Sequence, residues 1–276
     1  MLWIPGPTEV RPAILAECAR PMIGHRGSKM TELYERIDPH LRHAFGLTEG
    51  SSAAVAVHST SATGLMEAAL RGVGEKTLAL VNGAFSKRWF QIAELVGKEA
   101  RALEVPWGQS VTPTMLATEL ESNGPYDAVT LISNETSTGV LAPIAEIAAV
   151  VRRHPQTMLL VDLVSYLAGA PVEFDDWGLD FAFAGVQKAL ALPPGISVLA
   201  ASERYIENAK RQRLRGFHLD PVRIVAGHLE RKPAATPTIS LHYALARQLE
   251  DISAGVVLPS GEQPKRGRAA WEARFA

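Results

Sequence analysis

The stretch that decides the fold reads Met158-Leu159-Leu160-Val161-Asp162 and, further along the chain, Phe181-Ala182-Phe183-Ala184-Gly185-Val186-Gln187-Lys188. Each part contains a short, nearly continuous apolar run, which is typical of a strand that is buried on both faces of a parallel sheet. The first run ends on Asp162, and the second leads to Lys188. Two groups that can carry charge therefore follow two buried strands.

Outward from this stretch, strands and helices alternate. Further strands are predicted at Ala53–Val57, Thr77–Val81, Ala100–Val105, Ala128–Ser133 and Ile196–Ala201. Helices are predicted to begin at Glu203 and to span Gly64–Arg71, Ser86–Val96, Pro113–Leu120, Ile144–Arg153 and Leu241–Ile252. The alternation predicts an α/β fold with a mostly parallel sheet and helices on both faces. In such sheets ligands bind at the carboxyl ends of the strands.

The composition is that of an ordinary globular protein. The 276 residues are 47% hydrophobic and 21% charged, and the formal net charge is -1. This balance gives no basic field for nucleic acid, and no apolar run is long enough to cross a bilayer. The first residues lack the features of a signal peptide, and the single cysteine, Cys18, offers neither an internal disulfide nor a metal cluster. We expect a cytoplasmic protein that binds neither nucleic acid nor membrane.

The sequence predicts three parts. Residues 1–20 are expected to form an N-terminal segment, residues 21–250 one large domain, and residues 251–276 a tail. From Pro259 to Ala276 the sequence contains proline, glycine and several arginines and has little apolar periodicity. We expect this tail to be solvated or disordered.

Two polar segments follow predicted strands. In His58-Ser59-Thr60-Ser61-Ala62-Thr63-Gly64, small residues leave backbone N–H groups free beside the positive end of a helix. Such a turn can bind an anion such as phosphate, or else Ser61 or Thr63 only caps the helix. The second segment, Ser133–Gly139, either lines a site or is an ordinary polar loop.

Asp162 and Lys188 each have a functional and a structural interpretation. A buried carboxylate needs a partner, and Asp162 could hold a proton on a pyridine nitrogen, which makes pyridoxal 5′-phosphate (PLP) an electron sink. It could equally cap a helix or form an ion pair. Lys188 could be partly desolvated, which lowers its pKa and favours imine formation. It could also be a surface lysine, as most lysines are.

A colinear set of motifs extends from residue 4 to about residue 250. Its members are Ile4-Pro5-Gly6-Pro7-Thr8, Pro21–Arg26, Gly64–Ala69, Asn82–Arg88, Glu135–Val140, Val161-Asp162 and Gly185–Leu190 with Pro193-Pro194-Gly195. Taken in this order, the motifs resemble class V aminotransferases, and they are most similar to the alanine–glyoxylate and serine–pyruvate or serine–glyoxylate branch. The resemblance implies the large domain of a fold-type I PLP-dependent transferase.

The resemblance also implies roles for the residues that contact the reacting end and the phosphate of the cofactor. Lys188 would bind PLP as a Schiff base and shuttle a proton, and Asp162 would pair with the pyridinium nitrogen. The turn Ser61-Ala62-Thr63 would bind the phosphate together with Gln187.

Further roles concern the ring faces and a second subunit. Phe85 would stack on one face of the cofactor, and Val164 would pack on the other. Ser137 would form a hydrogen bond on the side of the 3′ oxygen. Thr236 would contribute to the phosphate site of the partner subunit, since the family forms homodimers.

The sequence departs from the family at several positions. Ala62 stands where the phosphate turn commonly has glycine, and only Thr236-Pro237 remains of a Thr-Pro-x-Thr-Pro pattern. Relatives continue into a smaller domain with an arginine that binds the substrate carboxylate, and we expect that domain to be largely missing. The one substitute that we can name is Arg26. No matching motif surrounds the late arginines Arg266, Arg268 and Arg274.

The predicted activity is transamination between a small amino acid, alanine or serine, and a 2-oxo acid, glyoxylate or pyruvate. Without the carboxylate clamp we expect it to be slow. One alternative is a C-terminally truncated homologue that binds PLP and dimerises with little or no activity. Another is a cysteine desulfurase-like lyase, which needs a nucleophilic cysteine late in the chain, whereas Cys18 is early.

Overall fold

The computed structural model describes residues 4–255 and is built around one sheet. The strands of the sheet are β1 Ala54–His58, β2 Lys76–Val81, β3 Glu99–Glu104, β4 Ala128–Ile132, β7 Met158–Asp162, β8 Phe181–Gly185 and β9 Ser197–Ala201. Their spatial order is β1-β9-β8-β7-β4-β2-β3. Strand β9 is antiparallel to both of its neighbours, and all other neighbouring pairs are parallel. The predicted mostly parallel sheet is confirmed. A separate short hairpin pairs β5 (Asn134–Glu135) with β6 (Val140–Leu141).

Helices cover both faces of the sheet, as predicted. The first face packs against α1 Pro12–Cys18, α2 Ser28–Ala44, α5 Pro113–Asn123, α6 Ile144–Val151, α7 Phe174–Trp177 and α10 Ile239–Ser253. The second face packs against α3 Ala62–Arg71, α4 Ala84–Leu95, α8 Glu203–Arg211 and α9 Pro221–Leu229. Along β4, Val129 and Leu131 belong to the first apolar cluster, and Ala128 and Ile132 to the second. This alternation follows from the two-residue repeat of a strand.

The predicted elements agree closely with the observed ones, although several observed elements were not predicted. Every predicted strand is observed, and its bounds differ by at most one residue. Helices α2, α7 and α9 and the short hairpin of β5 and β6 were not among the predicted elements. Helix α2 contains Pro39 and many polar residues, yet its buried side chains follow helical spacing, namely Met30, Leu33, Tyr34, Ile37 and Leu41. The signal was therefore present in the sequence.

Some sequence predictions are not tested by the structure. The tail from Pro259 onward lies outside the described residues, and the division into three parts stays a prediction. Among the helices between residues 4 and 255, none is long and apolar enough to cross a membrane.

Candidate active site

The parallel strands end at one edge of the sheet, and the predicted site residues follow them there. Asp162 is the last residue of β7, and Gln187 and Lys188 come shortly after β8. Three other strands lead to the remaining candidates: β1 to the turn Ser61-Ala62-Thr63, β2 to Phe85 and β4 to Ser137. The topology therefore collects residues from distant parts of the chain, as expected for such a sheet.

Asp162 is a buried carboxyl group with a strongly altered proton affinity. Its side chain is 4% exposed, and its Oδ1 accepts a hydrogen bond of 2.7 Å from the Val164 N–H. Burial raises the pKa of Asp162 to about 7, and the negative charge of Glu135 adds to the rise. The Val164 N–H and the positive charge of Lys188 oppose it. Asp162 thus has the character of a carboxyl group that is placed to meet a cationic partner.

Lys188 is half-buried and faces the N-terminal segment. Its Nζ donates a hydrogen bond of 2.8 Å to the Pro5 carbonyl oxygen. Burial lowers the pKa of Lys188, and the charge of Asp162 opposes that shift. A lowered pKa makes the neutral, nucleophilic form of an amine more accessible.

The N-terminal segment crosses directly over the lysine. Thr8 donates its N–H to the Gln187 carbonyl oxygen at 3.0 Å and its hydroxyl to the Lys188 carbonyl oxygen at 3.0 Å. Gly6 has a φ of +132°, a backbone conformation that favours glycine, and a Cβ atom there would lie 2.5 Å from Lys188 Cδ. Sequence reasoning noted residues 4–8 as a motif but did not predict their contact with Lys188.

The turn before α3 is arranged as an open helix N-terminus. Ser61 is the N-terminal flanking residue of α3, but its side chain makes no capping hydrogen bond, and both Ser61 and Thr63 are exposed. The Thr60 carbonyl oxygen accepts a 3.0 Å hydrogen bond from the buried Ser197 hydroxyl, which anchors the turn to β9. The capping interpretation of Ser61 is thus not what the structure shows, and the anion-binding interpretation stays a prediction.

The two residues that were predicted to contact the faces of the cofactor ring lie on the same side of the sheet. Phe85 and Val164 are half-buried, and both pack against the apolar cluster of the second face. The Arg88 guanidinium lies 4.9 Å from the centre of the Phe85 ring. The Gln187 side chain lies close to Gly185, where a Cβ atom would be 2.5 Å from Gln187 Oε1.

Ser137 is engaged within the protein. Its hydroxyl donates to Glu135 Oε1 at 2.7 Å and accepts from the Ala84 N–H at 2.9 Å. The predicted hydrogen bond to the 3′ oxygen side of the cofactor would have to be made by this same hydroxyl, so it stays a prediction. The sequence analysis included Glu135 only as part of a motif and did not predict that its carboxylate lies at the start of α4.

Three further residues that the sequence analysis considered lie away from these contacts. Thr236 is exposed in the loop before α10. The residue of this loop that contacts the segment after β1 is Thr238, which donates its N–H to Ser59 Oγ at 2.9 Å. Arg26 is exposed in the turn before α2. Cys18 is half-buried and packs against the core from α1, which agrees with a structural role. The arginines Arg266, Arg268 and Arg274 lie outside the described residues.

A sequence model of the class-V aminotransferases matches residues 14–258. The chain belongs to the class-V aminotransferase family. An uncharacterized aminotransferase of Methanocaldococcus jannaschii is 34% identical over 263 residues, which are 95% of this chain and 66% of that protein. The serine–glyoxylate aminotransferase of Methylorubrum extorquens is 31% identical over 225 residues, which are 79% of this chain and 55% of that protein.

A solved structure extends this comparison to the fold. The alanine–glyoxylate aminotransferase from Nostoc sp. has a TM-score of 0.86 and 30% sequence identity, over 98% of this chain and 69% of that one. The predicted family and the fold-type I large domain are confirmed. The chain spans about two thirds of the length of the most similar curated relatives.

PLP is the cofactor expected of a class-V aminotransferase, and the residues present fit it. A pyridine nitrogen needs a buried carboxylate, which Asp162 provides. An aldehyde needs an amine that can lose its proton, and burial moves Lys188 in that direction. A phosphate needs N–H donors, and the first turn of α3 has no side-chain cap from Ser61 to compete for them.

Proposed function

We propose that this class-V aminotransferase catalyses transamination between a small amino acid, alanine or serine, and a 2-oxo acid, glyoxylate or pyruvate. Lys188 carries the PLP in this proposal. The observation that supports it most directly is the buried Asp162 carboxyl group beside Lys188 at the carboxyl edge of the sheet. The names of the relatives, serine–glyoxylate and alanine–glyoxylate aminotransferase, support the choice of substrates.

Each residue then has a physical task. Bound PLP supplies an electron sink for charge that develops at the substrate Cα. Asp162 holds a proton at the ring nitrogen, because a carboxylate in this buried position favours a cation next to it. Lys188 moves the proton at Cα, and its lowered pKa suits a base that must work near neutral pH. The Pro5 carbonyl oxygen accepts a hydrogen bond from Lys188 Nζ and so restrains the lysine side chain.

We also propose a homodimer. The phosphate turn is exposed at Ser61 and Thr63, and the loop that carries Thr236 is exposed as well. Leu214 and Phe217, in the loop before α9, are large apolar residues that are 82% and 66% exposed. A second copy that covers this region would bury apolar surface and could add hydroxyl groups to the phosphate site.

Chemical trapping tests the attachment of the cofactor. Borohydride reduction of the chain with PLP, followed by peptide mapping, is expected to place the phosphopyridoxyl label on Lys188. Lys87 on α4 and Lys210 on α8 are exposed lysines that serve as internal controls. A label on either of them in place of Lys188 would contradict the assignment.

Turnover tests the reaction itself. Alanine or serine is supplied with glyoxylate or pyruvate, and the new amino acid is measured with the Lys188→Ala variant as the blank. Product from the wild-type chain and none from the variant supports transamination. PLP binding at Lys188 without product would favour the alternative, a PLP-binding protein that acts through dimerisation. Release of sulfide from cysteine would favour the lyase.

A further inference from the structure

Glu135 is a fully buried carboxylate to which the proposed mechanism gives no task. Its side chain has no solvent exposure, and it follows β4 at the same edge of the sheet as Asp162. Among residues 4–255, no lysine, arginine or histidine forms an ion pair with it. A buried charge without a cationic partner requires another source of stabilisation.

Hydrogen bonds from two segments provide that stabilisation. Glu135 Oε2 accepts from the Ser86 N–H at 2.9 Å and the Ser86 hydroxyl at 3.0 Å, and Oε1 accepts from the Phe85 N–H at 3.3 Å. Oε1 also accepts from the Ser137 N–H at 3.2 Å and the Ser137 hydroxyl at 2.7 Å. Burial alone would raise the pKa of Glu135, but these donors outweigh it and hold the pKa below its ordinary value. The carboxylate is therefore ionised at the positive end of α4.

The approach of Glu135 to α4 is close enough to require glycine. A Cβ atom at Gly83, the residue before α4, would lie 2.6 Å from Glu135 Cδ and 2.6 Å from Ser137 Oγ. The Ser86 hydroxyl closes the turn from inside, where it accepts from the Asn82 and Gly83 N–H groups at 3.0 Å. One carboxylate thus joins the first turn of α4 to the loop after β4.

We propose that Glu135 is a positioning residue, which fixes the first turn of α4, and with it Phe85, against the loop that carries Ser137. This inference rests on the proposed function, because Phe85 matters only if a cofactor ring lies beside it. Glu135 accepts a hydrogen bond from the Phe85 N–H, so it fixes the backbone from which the Phe85 ring projects.

A double-mutant cycle separates positioning from simple helix capping. Glu135→Gln keeps the shape of the side chain and removes its charge, and it is expected to raise the dissociation constant for PLP roughly tenfold. In a Phe85→Leu background the same change is expected to raise it less than about twofold, because the group that Glu135 positions is gone. Equal effects in both backgrounds would overturn the proposal and leave Glu135 as a helix cap only. Glu94→Gln, at the exposed far end of α4, is the matched control and should leave PLP binding unchanged.

Hydrogen exchange tests the inference without the cofactor. In Glu135→Gln, the amides of Phe85 and Ser86 are expected to exchange about tenfold faster than in the wild-type chain. In Glu94→Gln they should exchange at the wild-type rate. Unchanged exchange in Glu135→Gln would overturn the inference whatever the chain binds. If the wild-type chain binds no PLP, the proposed function fails, and exchange alone decides whether Glu135 holds the turn.

Discussion

At the scale of single residues, Asp162 has a proton affinity unlike that of an exposed carboxylate. Burial in the sheet edge raises its pKa to about 7, so in the cofactor-free chain the group is partly protonated at neutral pH. A cation placed against it would draw the carboxyl group into its ionised form. In the proposed function, the free-energy penalty of burying the Asp162 carboxyl group would favour the binding of a protonated ring.

The corresponding prediction is that Asp162→Ala loses PLP affinity by about a hundredfold, and turnover with it. A hydrogen bond between a buried carboxylate and a cation is worth about 3 kcal/mol, which corresponds to a factor of that size. Fluorescence titration with PLP measures the change. Asp176→Ala, which removes an exposed carboxylate on α7, is the control. Equal PLP affinity in the wild-type chain and Asp162→Ala would show that Asp162 does not hold the ring nitrogen.

Residue positions could be predicted where the signal is local. Asp162 and Lys188 are adjacent to apolar runs, so their position at strand ends could be derived from the sequence. Glu135 could not be assigned in this way, because its hydrogen bonds reach Phe85 and Ser86, which are distant in sequence. The contact of Lys188 with the Pro5 carbonyl oxygen spans an even greater separation. The sequence around Glu135 and around Lys188 does not indicate which distant residue each of them contacts.

At the scale of elements, the start of α3 carries the prediction for phosphate. The Ser61 and Thr63 hydroxyls are exposed beside the first turn, and Ser61 does not cap it. We expect the double variant Ser61→Ala, Thr63→Val to bind PLP at least about tenfold more weakly, because a hydrogen bond to a charged group is worth about 1.5–3 kcal/mol. Its affinity for pyridoxal, which lacks the phosphate, should be unchanged.

A matched control distinguishes phosphate binding from helix capping. Ser202 caps α8 through a hydrogen bond from the Tyr205 N–H. Ser202→Ala should lose about 1 kcal/mol of stability and retain its affinity for PLP. If the Ser61 and Thr63 variant weakens PLP and pyridoxal equally, the turn acts on the fold and not on the phosphate.

Element prediction succeeded for the strands because their apolar runs are short, continuous and bounded by polar turns. It failed for α2 because Pro39 interrupts the pattern, although the buried positions Met30, Leu33 and Ile37 keep helical spacing. It failed for α9 although Asp220 caps it and Pro221 opens it, which together are a recognisable start signal.

At the scale of the whole molecule, the parallel sheet followed from the alternation of strands and helices. The direction of β9 did not, since the sequence of an inner antiparallel strand has no local mark of its orientation. The association of subunits also could not be predicted from the pattern of strands and helices in one chain. What the structure adds is the location of exposed apolar residues near the turn before α3: the ring of His218, next to Phe217, lies 4.5 Å from that of His58.

The homodimer prediction is tested by sedimentation equilibrium. The wild-type chain is expected to sediment as a dimer at micromolar concentration, and Leu214→Asp is expected to weaken the dimer at least about tenfold, because it places a charge in apolar contact. Leu95→Asp is the control, since Leu95 is 86% exposed at the opposite end of α4. A wild-type monomer throughout the micromolar range would contradict the proposal.

Three buried groups, two histidines and Asp162, contribute to the pH dependence of stability. His58 and His242 are buried, and within residues 4–255 the Nε2 atom of each has no hydrogen-bond partner. Burial lowers the pKa of each to about 4, and neighbouring histidines add to the shift. In the unfolded chain the histidines bind protons near pH 6.5, whereas in the folded chain they stay neutral down to about pH 4. The folded state therefore loses stability as the pH falls from 6.5 towards 4.

Asp162 acts in the opposite direction over the same range. Its pKa is about 7 in the folded chain and ordinary in the unfolded chain, so the folded state binds more protons between pH 4 and 7. Its contribution is fully present below pH 4 and is lost as the pH rises through 7. Between pH 6.5 and 4.5, each histidine lowers the free energy of unfolding by about 2 kcal/mol, and Asp162 raises it by about 2 kcal/mol.

We therefore predict that Asp162→Asn makes the cofactor-free chain more sensitive to acid. Urea unfolding at pH 6.5 and 4.5 should show a loss of free energy that is about 2 kcal/mol larger in this variant than in the wild-type chain, because the opposing contribution of Asp162 is gone. His43→Gln, which alters an exposed histidine at the end of α2, should follow the wild-type profile. An equal acid loss in Asp162→Asn and wild type would mean that Asp162 has an ordinary pKa, and the electrostatic argument for its role at the ring nitrogen would fail with it.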